Sequence, residues 1–321
     1  SWWYFNLYRA FGVVPIAHKV VSPADAKTIR RCTDDEMYAL LTGDLAEAAR
    51  LLPASKGAEK ARVTDIAAWT LLAKVYLTFG KPGEAKTALE EAMKNPNYGL
   101  VNTTADAFNV KNKFNKEIIF ALYYNKANDT GHGYWYSTTK PEEAQLTQPA
   151  PVFRALYDAQ DNRLPLISEY TEDKKGTYLL NKWFDNRNDA LKGNVVENDF
   201  PHLRYADVVL MYAEALAESG SSLGDALVWL NKTRTRAGLD ALRTEDIPSK
   251  GAFIEALADE RGREFALEGH RWFDLVRLGL ALDRFHEMGY KLDAHNLLFP
   301  IPQNQIEIVN DKTILWQNPG Y

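Results

Sequence analysis

Glu260, Glu264 and Glu268 stand four residues apart in DERGREFALEGHRWFDLVRLG, residues 259–279, and carboxylates along one helical face are the first candidates for chemistry in this chain. Two of them could serve glycoside hydrolysis, one as acid and one as base or nucleophile. The same spacing has a plainer reading. Like charges at i, i+4 and i+8 repel unless cations from elsewhere meet them, and Arg204, Arg261, Arg263 and Arg271 are available. The plainer reading is preferred, with Arg204 expected to neutralise part of the stripe, and no catalytic residue is assigned. Asp259 with Arg263, Arg271 with Asp274, and Asp274 with Arg277 are expected to pair along the helix. Gly269 is expected to break it before a second turn opens at His270.

Other reactive patterns fail on context. GSSLG, residues 220–224, has nucleophile-elbow spacing around Ser222, but that elbow needs a strand-to-helix turn and these residues join two helical segments. His286 and Glu287 begin like a zinc-protease helix, yet Tyr290 stands where the second histidine is required. His270 is one residue too close to Glu268 for the carboxylate-histidine pair of a di-iron bundle. Asp158, Asp161 and Asn162 could offer oxygens to calcium, without the spacing of a known loop, and a solvated loop is preferred. Gly131 and Gly133 lack the third glycine and the preceding strand of a phosphate cradle. No metal site and no cofactor is assigned, calcium being the only ion considered.

What remains is aromatic. Tyr134, Trp135 and Tyr136 follow directly on DTGHG, and Trp183 and Phe184 lie among Asn181, Lys182, Asp185 and Arg187. Sugars present C–H faces that pack on rings and hydroxyl rims that need amides and guanidinium groups. The expected ligand-binding set is therefore Tyr134, Trp135, Tyr136, Asn181, Trp183, Phe184 and Arg187.

The elements that must position these residues are helical. Thr33 and Glu36 form a capping box ahead of Met37, Leu41, Leu45, Ala48 and Leu52, an amphipathic helix ending at Pro53. Trp69, Leu72, Ala73, Tyr76, Gly80, Ala85, Leu89 and Ala92 fall at the packing positions of a tetratricopeptide unit, and a looser copy runs through Tyr212, Ala213, Leu216, Gly220, Ala226, Leu230 and Thr233. These rings and alanines read as core. Between the repeats the helical period fades. EIIFALYY, residues 117–124, reads as a buried extended segment, and residues 125–200 form an irregular polar tract of the kind that carries function. The fold class is all-α (mainly α): tetratricopeptide-like hairpins with a long loop-rich binding region. The helical part spans residues 1–110 and the remainder 111–321, packed as one compact unit.

The 321 residues, 46% of them hydrophobic, can bury a large core, and a formal net charge of −5 without a basic tract speaks against nucleic acid. Cys32 is the single cysteine, so no internal disulfide forms, and no apolar run approaches a bilayer-spanning length. No apolar signal segment precedes Cys32, which excludes it as a lipid-attachment site.

The 259–279 stretch resembles the C-terminal signature of the SusD/RagB family, nutrient-capturing surface lipoproteins of Bacteroidetes-type bacteria. LRYADVVLMYAEALAE (203–218) and the closing run with FPIPQNQIEIV and QNPGY match the same family in the same order. The resemblance implies a SusD-like α/α superhelix that captures a polysaccharide or oligosaccharide at the outer face of the outer membrane. It also implies delivery to a TonB-dependent SusC-like transporter. The RagB branch would substitute a peptide ligand. The family places a substantial region before Trp2, so Trp2, Trp3, Tyr4 and Phe5 are expected to pack against it, and a lipid anchor is expected there.

Overall fold

Apolar stripes along the chain become a stack of antiparallel helices, seen in a computed structural model that describes residues 1–56, 60–125, 151–167, 182 and 197–321. Helix α1 (Trp2–Phe11) lies against α2 (Asp34–Leu51). The capping box opens α2 as expected: the Thr33 hydroxyl accepts from the Glu36 amide at 3.2 Å, and the Glu36 carboxylate accepts from the Thr33 amide at 2.8 Å. Met37, Leu41 and Leu45 face the core, followed by Ala49 where Ala48 was expected, because the buried stripe keeps stepping by four.

The first repeat forms α3 (Asp65–Thr78) and α4 (Pro82–Met93). Gly80 turns the chain at φ +67°, a conformation that costs a side chain dearly, and Pro82 starts the return helix, where a missing N–H is harmless. Fully buried Ala73, Ala85 and Ala92 let the helices approach closely. Trp69 and Tyr76 pack against this core from its partly buried margin.

A two-stranded antiparallel ribbon separates the repeats, β1 (Ile118–Leu122) with β2 (Phe200–Arg204), in register Ile118 to Arg204 and Leu122 to Phe200. The extended segment read at 117–124 is thus a strand, though its end is not buried: Leu122 is 44% and Tyr123 46% exposed. The sequence reading has no β2. Five residues containing Pro201 carry too little alternation to announce a strand, and pairing with β1 supplies what the pattern lacks.

The second repeat forms α5 (Tyr205–Glu218) and α6 (Leu223–Arg236), and α5 packs on α4 to join the hairpins. Ser222 caps α6, its hydroxyl accepting from the Asp225 amide at 3.1 Å, so the nucleophile-elbow pattern is a helix cap. Helix α7 (Lys250–Glu264) buries Phe253 and Leu257 against α5 and α6. It stops at Glu264, five residues before the glycine expected to end it, and a turn with Leu267 at φ +65° and Gly269 at φ +78° leads into α8 (Arg271–Arg277). The early stop has a cause: the Glu264 and Ala266 carbonyls accept from Arg204 at 3.0 Å and Lys182 at 2.8 Å.

Phe253→Ala should cost about 3–5 kcal/mol, because a fully buried ring leaves a cavity. Trp3→Ala, at a position 76% exposed, should stay within about 0.5 kcal/mol. Urea midpoints of the two variants against the parent check this.

Candidate functional site

Among the described residues the glutamate stripe is densely ion-paired. Glu117 precedes β1 and Arg204 ends β2, so the strand register sets them side by side, and Arg204 Nη1 reaches Glu117 Oε1 at 2.5 Å. The same guanidinium forks onto Glu268, Nε to Oε2 at 2.7 Å and Nη2 to Oε1 at 2.8 Å, and touches Glu264 Oε1 at 3.1 Å. From the last turn of α6, Arg236 bridges Glu117 and Glu264, both at 2.6 Å. Arg163 binds Glu260 Oε1 at 2.7 Å and Glu264 Oε2 at 3.2 Å, while Lys182 meets Glu268 at 2.7 Å. Thr233 and Thr104 hydroxyls donate to Glu260 and Glu264.

Arg204 therefore neutralises Glu264 and Glu268 as expected, while Glu260 is met by Arg163 at 2.7 Å and, as expected, by Arg263 at 3.7 Å. Arg261 and Arg271, also offered as partners, go elsewhere. Sequence spacing could not single out Arg163, Arg236 or Lys182, because only the fold brings those positions to α7. Asp259 pairs with Arg284 and Arg271 rather than Arg263, and of the expected helical pairs Asp274 with Arg277 forms, at 2.9 Å.

Burial alone would push the Glu264 carboxyl up, but Arg236, Arg204 and Arg163 hold it well below the usual carboxylate range. Glu268 is held down against its burial by Arg204 and Lys182. A glycosidase acid needs a raised pKa and access to substrate. These carboxylates have neither, being 0% and 5% exposed. Asp161, one of the oxygens considered for calcium, spends both on Arg163, at 2.9 and 2.8 Å, and Asn162 donates to the Arg236 carbonyl.

A second buried set joins α3, α5, α7 and α8. Arg261 binds Asp207 and Asp274, both at 2.8 Å, Lys74 pairs with Asp207, and Arg277 pairs with Glu214. His270 lies in this set, its Nδ1 3.4 Å from Lys74 Nζ and its ring stacked on Phe265. Burial and the Lys74 charge push its pKa down to about 3.

Several concave surfaces are formed by the described residues. Beside His270 a cavity of about 210 Å³ opens between Trp2, Trp3, Phe200 and His202. An apolar groove of about 690 Å³ runs from Trp3 past Val63 and Leu71 to Leu122. A cleft of about 770 Å³ sits where β1 runs out toward residue 126, lined by Phe114, Tyr123, Lys60, Arg62, Lys111 and Lys113. The seven residues expected to bind ligand, Tyr134, Trp135, Tyr136, Asn181, Trp183, Phe184 and Arg187, lie outside the described residues. One fixed point falls among them. Lys182, next to Asn181 and Trp183 in the chain, is 3% exposed and tied to Glu268 and the Ala266 carbonyl. The sequence reading passed over Phe114 and Tyr123, and only the exposure of Tyr123 at the strand end marks it.

Residues 162–321 match the model of the SusD family, and residues 1–77 match one described as "Starch-binding associating with outer membrane". SusD-like protein P2 of Formosa agariphila is 26% identical over 364 residues, covering 99% of this chain and 72% of that protein. The starch-binding protein SusD of Bacteroides thetaiotaomicron is 31% identical over 151 residues, covering 44% of this chain and 25% of its own length. A solved laminarin-binding SusD-like protein superposes with a TM-score of 0.81 at 26% identity, covering 100% of this chain and 76% of its own.

Arg204→Met should destabilise by about 3 kcal/mol or more, because Glu117, Glu264 and Glu268 lose a shared cation while remaining buried. A denaturant midpoint no lower than that of an exposed Arg→Met control would contradict the pairing. His270 supplies a pH signature. Its folded pKa lies below the unfolded value near 6.5, so the unfolded chain takes up the proton first and stability falls as pH drops from about 6.5 toward 3. By pH 5 the loss should be about 2 kcal/mol, and a conservative His270→Gln variant should flatten that part of the stability profile.

Proposed function

The chain belongs to the SusD/RagB family, and on that premise we propose that it captures a glycan at the outer membrane and hands it to a TonB-dependent SusC-like transporter. Relatives named for binding starch and laminarin support the glycan. The observation in this chain that carries the reading is the division between scaffold and surface. The candidate acids are locked into ion pairs at the base of α7, while an aromatic-lined cleft lies outside that lock. Binding asks for shape, rings and hydrogen bonds and needs no activated nucleophile. The protein acts as a binder and not as an enzyme.

In this reading Tyr134, Trp135, Trp183 and Phe184 supply stacking rings, and Asn181 and Arg187 meet hydroxyls. In the same reading a lipid anchor holds the protein on the extracellular face of the outer membrane. A single acyl chain holds a protein only marginally, and docking on a transporter provides the second hold. Pull-down from native envelopes with an antibody to this chain should recover a transporter, and purely cytoplasmic fractionation would contradict the assignment.

Affinity electrophoresis against polysaccharides, with peptides in parallel, tests the ligand class. Alanine at Trp135 or Trp183 should weaken glycan binding by about 1.5–3 kcal/mol, roughly 10- to 150-fold in Kd, with the thermal midpoint nearly unchanged. Peptide binding without glycan binding would replace the ligand, and release of reducing ends would replace the binder with an enzyme.

A further inference from the structure

The cleft at the end of β1 is basic in a chain whose formal net charge is −5. Lys60, Arg62, Lys111 and Lys113 surround two rings, Phe114 and Tyr123, whose centroids are 5.5 Å apart at an interplanar angle of 40°. Lys113 pairs with Asp199 at 2.9 Å, and Glu197 stands beside Asp199. Lys60 and Lys111 have no carboxylate partner among the described residues. Lys56 sits behind the cleft, its ammonium 5.5 Å from the Phe114 ring centroid and 5.2 Å from that of Tyr98, donating to the Ile118 carbonyl. Burial and the nearby Lys60 charge push its pKa down to about 8.

Gathering like charges around a half-buried aromatic pair raises the free energy of the empty cleft. An anion entering it removes that repulsion, and a planar-faced ligand uses the rings at the same time. Phe114 also holds a left-handed backbone at φ +53°, costly for a residue with a side chain, where its ring lies beside Tyr123. Neutral sugars would gain nothing from Lys60 and Lys111 beyond hydrogen bonds that uncharged side chains make as well.

We propose that this cleft recognises an acidic polysaccharide, its carboxylate or sulfate groups held by Lys60 and Lys111 while a sugar ring packs on Tyr123 and Phe114. The proposal rests on the glycan reading above and names the class of glycan. Uronates and sulfate esters share the required chemistry of an anionic group on a pyranose, so both are tested.

The experiment measures binding of the chain to polygalacturonate, dextran sulfate and uncharged dextran at roughly 50 and 500 mM salt, by affinity electrophoresis and calorimetry. Variants are Lys60→Gln with Lys111→Gln, and Tyr123→Ala, all at exposed positions whose thermal midpoints should hold. At low salt at least one acidic polymer should bind about tenfold or more tightly than dextran, and each variant should lose about tenfold on it. The polymer retained identifies carboxylate or sulfate as the preferred group. Acidic polymers bound no better than dextran, or binding unchanged by the double lysine variant, overturns the charge preference and leaves neutral glycan capture standing. Polyglutamate or DNA bound as tightly, with Tyr123→Ala silent, overturns it too, since the cleft would then be a general polyanion surface. Failure to bind any polysaccharide, neutral panel included, overturns the glycan reading itself.

Discussion

Glu264 is fully buried and ion-paired with three arginines, Arg163, Arg204 and Arg236, each from a different part of the chain. Desolvating these groups costs several kcal/mol per ion, returned only when every partner is in place. Such a set adds little net stability, yet it tolerates few alternative arrangements. The end of β2, the last turn of α6, the segment around Asp161 and the last turn of α7 must all arrive together. The early stop of α7 belongs to the same constraint, since the Glu264 and Ala266 carbonyls are taken by Arg204 and Lys182.

The network also pins one end of the ribbon, the end away from residues 125–200. Glu117 holds the start of β1 and Arg204 the end of β2, the two strands that flank the tract in sequence. Lys182, inside the tract, is drawn onto Glu268 and over the Phe108 ring at 4.5 Å. Arg163, in the same span of sequence, is likewise held, on Glu260 and Glu264, so the described residues between the two strands are anchored to the base of α7.

Charge is used in opposite ways at the two places. At the base of α7 every carboxylate finds cations and the field is spent internally. In the cleft at the end of β1, Lys60 and Lys111 carry charge that no described carboxylate cancels. Internal pairing needs exact geometry and excludes water, whereas a cleft reached by solvent can hold excess charge at modest cost because water screens it. That excess can act on a ligand.

The helices, their hairpin turns and the capping box were legible in the sequence because they are local. Thr33 and Glu36 are three residues apart, the buried alanines of α3 and α4 repeat within a few turns, and Gly80 needs only its own φ. The position of β1 was legible from its apolar run, and the family from three ordered segments. What the sequence could not decide was pairing across distance. Glu260, Glu264 and Glu268 visibly needed cations, but nothing in their spacing distinguished Arg163 and Arg236 from Arg261 and Arg271. The choice depends on which side of α7 faces α6 and which faces α8, and that is set by packing. β2 was invisible for the same reason, since a five-residue strand containing Pro201 exists through its partner. Tyr123, read as part of a buried segment, is exposed together with Leu122, where the ribbon ends. Local preference is written in neighbouring residues, while partner choice and exposure are properties of the assembled surface, which forms only when distant segments meet.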